Sequence, residues 1–284
     1  MALKTPTQYI ESLKDGREVW VEGKIVPDIT THPRFKAAIG HMAYAYEMAQ
    51  DPQYAPHCVT TCPETGETIT GCYRVPQSVD DLKFRRETIY QTSRYAGGYI
   101  PFGAVKEIGT DALFALRMVC SDIDKKYGTK YLERVVAFHH HCQKNDLSLA
   151  GAVTDPKGDR SLRPFEQPHP ETYLRIVEKR KDGIVVKGAK CHITSAPMVN
   201  EMLVLPTRAM GKEDGDWSVA FAVPANAPGL KMIANPDHTP DDAFEFPLSA
   251  LHPVIHAMVI FDNVFIPNER IFLCGETEFA GALA

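Results

Sequence analysis

Apolar and polar positions follow two rhythms along this chain, and the change from one to the other falls near residue 146. Before it the spacing is mostly helical. Thr5, Pro6 and Gln8 make a helix start: a capping hydroxyl, a proline whose missing N–H is not needed in the first turn, and a side chain able to reach back to the cap. Tyr9, Ile10 and Leu13 continue the apolar stripe until Asp15-Gly16 ends it. Residues 19–26 alternate instead, as a short strand or extended arm. Over 35–50, Ile39, Met42, Ala43 and Tyr46 fall on one helical face, and Asp51-Pro52 stops the run. Ser78 followed by Asp81 reads as a capping box that opens a helix over 79–95. Gly97-Gly98 and Pro101 break the chain. Two more helices follow, over 111–126 and 130–144, separated by Gly128.

Past Leu147 the period shortens. Residues 148–153, 173–179, 184–187, 202–205, 219–223 and 258–261 are β-branched or apolar runs of strand length, and Lys181-Asp182-Gly183 is a hairpin turn between two of them. The order predicts an α+β chain: a helical unit over 1–146, a β-unit over 147–275, and at 276–284 the first turn of a further helical region.

Composition narrows the class. With 44% apolar and 24% charged residues the chain is of ordinary globular type, and a formal net charge of -5 argues against a general nucleic-acid binder. No leader-like or membrane-spanning run is legible, and seven irregularly spaced cysteines suit reduced thiols, so a cytoplasmic protein is expected.

Candidate chemistry is sparse. Gly151, Ala152, Val153 and Thr154 leave a strand and enter a turn that continues through Asp155, Pro156, Lys157, Gly158, Asp159 and Arg160. Free backbone N–H groups with Lys and Arg there suit an anionic group or the polar edge of a planar cofactor. An ordinary surface turn fits the same residues, and local chemistry alone favours it. Thr194 and Ser195 end a second run and offer hydroxyls to a heterocycle, or simply cap a turn. His57, Cys58, Cys62 and Cys72 are too loosely spaced to predict a metal site. His139, His140 and His141 on one helix point about 100° apart and cannot share an ion. Pro253 separates His252 from His256, which leaves His256, at the start of an apolar strand, as a candidate acid or base. Phosphate loops, nucleophile elbows and a dinucleotide GxGxxG are not legible.

A resemblance adds more. Residues 52–55, 154–160, 175–180, 182–186, 188–190 and 261–274 together resemble the flavoprotein family of 4-hydroxybutyryl-CoA dehydratase, and the opening pattern at 9–18 and 31–33 is similar to the related 4-hydroxyphenylacetate 3-monooxygenase. The resemblance implies an acyl-CoA-dehydrogenase-like fold: a helical N-terminal domain, a β-barrel-like middle domain, and a C-terminal helical bundle that these residues do not include. It implies FAD, or reduced FAD or FMN supplied by a reductase. Flavin contacts fall on Gly151, Ala152, Val153, Thr154, Lys157, Gly158, Asp159, Arg160 and Thr194, and substrate contacts on Phe102 and Lys106. It further implies a small-molecule substrate (a small acid, an acyl-CoA or a phenol) and a C-terminal-half subunit or homo-oligomer as partner.

Departures from the family matter equally. Residues 99–107 hold no cysteine where the dehydratase holds cluster ligands, so its iron–sulfur cluster is not expected. His256 stands where the dehydratase has a carboxylate, and the phenol-binding Arg and Tyr of the monooxygenase are missing. An aromatic hydroxylase and a non-catalytic scaffold subunit are the alternative readings.

Overall fold

The computed structural model describes residues 3–98, 106–236 and 243–284. Helix α1 (Pro6–Glu11) starts on the reciprocal cap expected: Thr5 Oγ1 accepts from the Gln8 amide at 3.2 Å and Gln8 Oε1 from the Thr5 amide at 2.9 Å. The arm that follows is a hairpin of β1 (Glu18–Val21) and β2 (Lys24–Val26). Then come α2 (Pro33–Glu47), α3 (Ala55–Cys58), the hairpin β3 (Val59–Thr61) and β4 (Thr68–Thr70), and α4 (Val79–Tyr95). Ser78 caps α4 by accepting from the Asp81 amide at 3.2 Å. Next are α5 (Ile108–Tyr127), closed by Gly128 in the left-handed conformation, and α6 (Tyr131–Lys144).

Strands dominate from there. They are β5 (Leu149–Ala152), β6 (Arg175–Lys179), β7 (Gly183–Thr194), β8 (Glu201–Val204), β9 (Val219–Pro224) and β10 (Leu230–Asn235). The chain ends with α7 (Pro247–Leu251), β11 (His256–Pro267), β12 (Ile271–Cys274) and α8 (Thr277–Ala280).

Two open sheets form from these strands, one of six in the order β2-β1-β10-β11-β7-β6 and one of four in the order β12-β9-β8-β5. The barrel-like expectation is corrected here: among the described residues neither sheet closes on itself, because β2 and β6 end one and β12 and β5 the other. Content is mixed α and β, as the sequence pattern predicts.

The layers follow from side-chain size. Helix α5 lies on β5 because Gly109 has no side chain: a Cβ there would meet Leu149 Cβ at 2.1 Å. Helix α6 lies on β12 through Phe138 and Phe272, whose ring centroids are 5.9 Å apart, and Cys120 of α5 donates its thiol to Phe272 O. The small sheet then packs on the large one, with Phe221 and Phe261 edge to face at 5.9 Å. On the large sheet the inward row is Val19, Met232, Ala234, Ala257, Val259 and Phe261, all buried. The outward row includes Ile25, Trp20, Ile233 and Met258, neighbours across four strands.

The amino-terminal arm is locked to the β-region from two directions. Strand β1 pairs in parallel with β10, Glu18 opposite Lys231. Arg17, 6% exposed, donates to the carbonyls of Pro197 at 2.9 Å and Val199 at 2.7 Å, while Asp15 neutralises it at 2.7 Å. A buried guanidinium is tolerated only when its donors are satisfied in this way.

Candidate functional site

Parallel strands β5 and β8 end at the same edge of the small sheet, and the residues that follow both strands enclose a cavity of about 340 Å³. Thr154, Asp155, Lys157 and Arg160 line it from the β5 side, Thr207 and Arg208 from the β8 side, and Tyr173 from below. Ligand crevices commonly form where parallel strands end together.

Lys190 holds this edge in shape. It is 3% exposed, its ammonium pairs with Asp155 Oδ1 at 2.6 Å, and it donates to the carbonyls of Val153 at 2.8 Å and Leu205 at 2.9 Å. Burial lowers its pKa from the ordinary lysine value, and Asp155 works against that shift. The Thr207 hydroxyl also donates to Val153 O, and the Cys191 amide to Thr154 O at 2.7 Å. One buried cation thus ties the ends of β5, β7 and β8 together and uses up the carboxylate in the cavity wall.

The turn that follows is fixed by its own polar groups. Asp159 N–H donates to Gln167 Oε1 at 3.0 Å, Gln167 Nε2 to Asp159 O at 2.7 Å, and the Tyr173 hydroxyl to Lys157 O at 3.0 Å. Gly158 has φ +51°, and a Cβ would come within 2.7 Å of Gln167 Oε1 and 2.9 Å of the Tyr173 hydroxyl oxygen. Asp159 accepts from Ser161, and that hydrogen bond holds its carboxyl below the ordinary value. Lys157, Arg160 and Arg208 form no ion pair among the described residues. Three uncommitted cations around a cavity whose own carboxylate is neutralised favour an anion such as a pyrophosphate.

Thr194, at the end of β7, pairs with His256, at the start of β11, with Thr194 Oγ1 3.2 Å from His256 Nδ1. They are not in the cavity wall. Beside them Ser195 is fully buried at φ +61°, its amide donating to Ile255 O at 2.8 Å and its hydroxyl oxygen without a partner. Left-handed non-glycine residues and unpaired buried hydroxyls are uncommon, and both collect at functional sites. Gly151 and Ala152 end β5 and Val153 follows it, none of them in the cavity wall, with Gly151 packed towards Ile108.

Of the two expected substrate contacts, Phe102 lies outside the described residues. Lys106 is fully buried: its ammonium pairs with Asp146, donates to Thr70 Oγ1 at 3.2 Å and sits 4.0 Å from the Tyr46 ring centroid. Thr207, Arg208 and Tyr173 were not legible as site residues. Their only signal was position, since 207–208 follow a strand run that turns out to be parallel to β5.

No group of three or more His, Cys, Asp or Glu able to hold a metal occurs among the described residues, and none of their helices is long and apolar enough to cross a membrane.

Comparison with known proteins gives a consistent result. The family described as 4-hydroxyphenylacetate 3-hydroxylase N terminal matches residues 5–273. The 4-hydroxybutyryl-CoA dehydratase/vinylacetyl-CoA-Delta-isomerase of Clostridium aminobutyricum is 40% identical over 287 residues, covering 99% of this chain and 58% of that protein. The oxygenase component of 4-hydroxyphenylacetate 3-monooxygenase from Thermus thermophilus is 30% identical, over 97% of this chain and 56% of its own length. Among solved structures, an oxygen-tolerant archaeal 4-hydroxybutyryl-CoA dehydratase from N. maritimus superposes with a TM-score of 0.88 at 29% identity, over 99% of this chain and 56% of that one. A 4-hydroxyphenylacetate 3-monooxygenase oxygenase component complexed with FAD superposes with a TM-score of 0.87 at 28% identity, over 99% and 57%. The chain therefore spans little more than half the length of the relatives it matches.

Proposed function

The chain belongs to the 4-hydroxyphenylacetate 3-hydroxylase N-terminal family, and on that premise we propose that it provides the flavin-holding part of an FAD-dependent oxidoreductase or lyase acting on a small acid, an acyl-CoA or a phenol. The observation that carries this reading is the cavity at the β5–β8 edge, where Lys157, Arg160 and Arg208 are left without acidic partners. FAD carries a pyrophosphate, and these side chains are suited to hold it.

Thr154 and the backbone of Gly151 to Val153 would bound one side of the cofactor, with Gly158 and Asp159 shaping the turn. Thr194 and the orphaned Ser195 hydroxyl would offer hydrogen bonds further along β7. FAD would supply the electron chemistry. His256 would hold or release the substrate proton at Nε2 while Thr194 fixes the ring through Nδ1.

Lys106 enters this reading with a condition. A substrate carboxylate or CoA phosphate reaches its ammonium only by displacing Asp146, so its first role is to tie the start of α5 to Asp146. The acyl-CoA-dehydrogenase-like arrangement and the divisions at 146 and 275 belong to the same proposal. The division at 146 is supported by α6 ending at Lys144 and β5 starting at Leu149, although β1 and β2 cross it to join the large sheet. The relatives' remaining length is the natural source of a helical partner, and a reductase is required if the reaction uses reduced flavin from outside. The 40% identity to the dehydratase favours an acid or acyl-CoA substrate over a phenol.

Titration of the protein with FAD, alone and mixed with the non-matching part of the Clostridium relative, tests the proposal by absorbance and fluorescence. Saturable binding is expected in the mixture. Replacing Lys157 and Arg160 together by Ala should weaken it about tenfold. Failure of the mixture to bind FAD while the two parts associate would leave the scaffold reading in its place.

A further inference from the structure

One cysteine outside the flavin region has surroundings unlike the others. Cys62 follows β3 and opens the turn Cys62-Pro63-Glu64-Thr65-Gly66, closed by Cys62 N–H to Glu67 O and Gly66 N–H to Cys62 O, both 2.8 Å. The residue is 4% exposed and borders a small space of about 20 Å³, shared with Glu64, Tyr73, Arg117, His139 and Gln143. A space of that size has room for at least one water molecule.

Its walls are polar and fixed. Arg117 donates Nη2 to Glu64 Oε1 at 2.7 Å and Nη1 to His139 Nδ1 at 3.1 Å, and His139 Nε2 donates to Tyr73 O at 2.8 Å. Burial, aided by Arg117, lowers the His139 pKa to about 4, so the ring is neutral at pH 7 and the guanidinium provides the local positive charge. Glu64 is shared between Arg117 and His140, and Arg74 adds a second cation to the lining. Gln143 is 4% exposed, and its Nε2 is buried with no hydrogen-bond partner. It is a donor facing a space that a single oxygen-bearing molecule would fill.

The sulfur is also activated. Burial raises the Cys62 pKa, but the Thr65 hydroxyl and amide, with smaller help from the Glu64 amide, outweigh it and leave the thiol below its usual value. Burial has the opposite net result elsewhere: it pushes Cys58 up to about 11 and Cys72 and Cys120 up to about 12.

We propose that Cys62 is a peroxide-reactive thiol, and that the small adjoining space is where hydrogen peroxide meets the sulfur. The thiolate attacks one peroxide oxygen: an S–O bond forms, the O–O bond breaks, and the electron pair leaves with the second oxygen, which takes a proton and departs as water. Sulfur is oxidised by two electrons to the sulfenic acid, and peroxide is reduced by the same two. Thiol plus hydrogen peroxide thus gives sulfenic acid plus water. Gln143 Nε2 is the donor to the peroxide oxygen, and Thr65 beside the sulfur favours its ionised form. The assignment is independent of the flavin reading.

The test is peptide mass spectrometry of the full chain treated at pH 7 with substoichiometric hydrogen peroxide and a sulfenic-acid-trapping dione. Cys62 should be trapped first, about tenfold faster than the half-exposed Cys191 and Cys274. A bulky organic hydroperoxide should abolish that preference. Thr65→Val and Gln143→Leu, checked for native circular dichroism, should each slow trapping at Cys62 about fivefold and leave Cys191 unchanged. Trapping at Cys191 ahead of Cys62, or equal rates with the bulky oxidant, would overturn the proposal. So would trapping at Cys62 only after denaturation.

Discussion

Replacing Lys190 by Met tests how the candidate cavity is held open. The substitution preserves much of the side chain's volume and removes the ammonium that serves Asp155, Val153 O and Leu205 O. Two kinds of loss add. Asp155, whose side chain is 10% exposed, is left as a carboxylate without its counter-ion, and two carbonyls lose their donor. Removing one partner of a buried pair costs about 3–5 kcal/mol, most of it from the stranded charge. Restoring charge balance with Asp155→Asn in the Lys190→Met background should therefore recover more than half of the loss. The remainder, about 1–3 kcal/mol, belongs to the carbonyls. Urea unfolding followed by circular dichroism and Trp fluorescence measures both steps. A loss below about 1 kcal/mol for Lys190→Met, or no recovery in the double variant, would refute the idea that this pair organises the edge. The freed carboxylate should also reduce FAD affinity in the single variant by more than in the double, since it opposes the phosphate that Lys157, Arg160 and Arg208 are proposed to attract.

Further expectations can be measured alongside. Gly158→Ala forces a side chain onto Gln167 Oε1 and the Tyr173 hydroxyl at a positive φ, so it should weaken FAD binding by distorting the Lys157–Arg160 turn and lower stability by about 1–3 kcal/mol, read by titration and urea midpoint. Arg17→Met leaves Asp15 and the carbonyls of Pro197 and Val199 unserved and should cost about 3–5 kcal/mol, with faster proteolysis of the amino-terminal arm. His139, depressed to about 4 when folded, stays neutral while the unfolded chain takes up its proton near pH 6.5. Its contribution is therefore present above pH 6.5 and lost as pH falls towards 4, by up to about 3 kcal/mol, and His139→Gln should flatten the urea-midpoint profile over that window.

Much of the fold was legible because local chemistry agrees with it. The Thr5–Gln8 box, the Ser78 cap and the Lys181-Asp182-Gly183 turn each act over three or four residues, and each marks an element boundary in the structure. Helix α5 begins at Ile108 rather than 111, ahead of the stripe visible in the sequence. Strands β10 and β12 were not anticipated, and β11 runs to Pro267, well beyond the apolar run at 258–261. Their outward positions carry Lys231, Asp262 and Asn263, which hide the strand pattern. The open sheets were not legible either, since strand order depends on pairings such as β1 with β10 that no local signal encodes.

The candidate site divides along the same line. Thr154, Lys157 and Arg160 lie on one turn, are singled out by the family resemblance rather than by local chemistry, and line one cavity. Arg208, Thr207 and Tyr173 join that cavity only through folding. Lys106 shows the reverse case. A lysine beside a chain break looks available in sequence, yet burial commits it to Asp146 across 40 residues.

The pairing of β1 with β10 also sets a schedule for the growing chain. Residues 18–26 are made early, but their partner strand is completed only when residue 235 has been added, so the arm must wait on the ribosome with an open edge. Non-local pairing of this kind slows folding and exposes nascent edges to other chains. The apolar outward positions Ile25 and Trp20 sit on that waiting hairpin. One edge of that hairpin therefore stays unpartnered until β10 emerges.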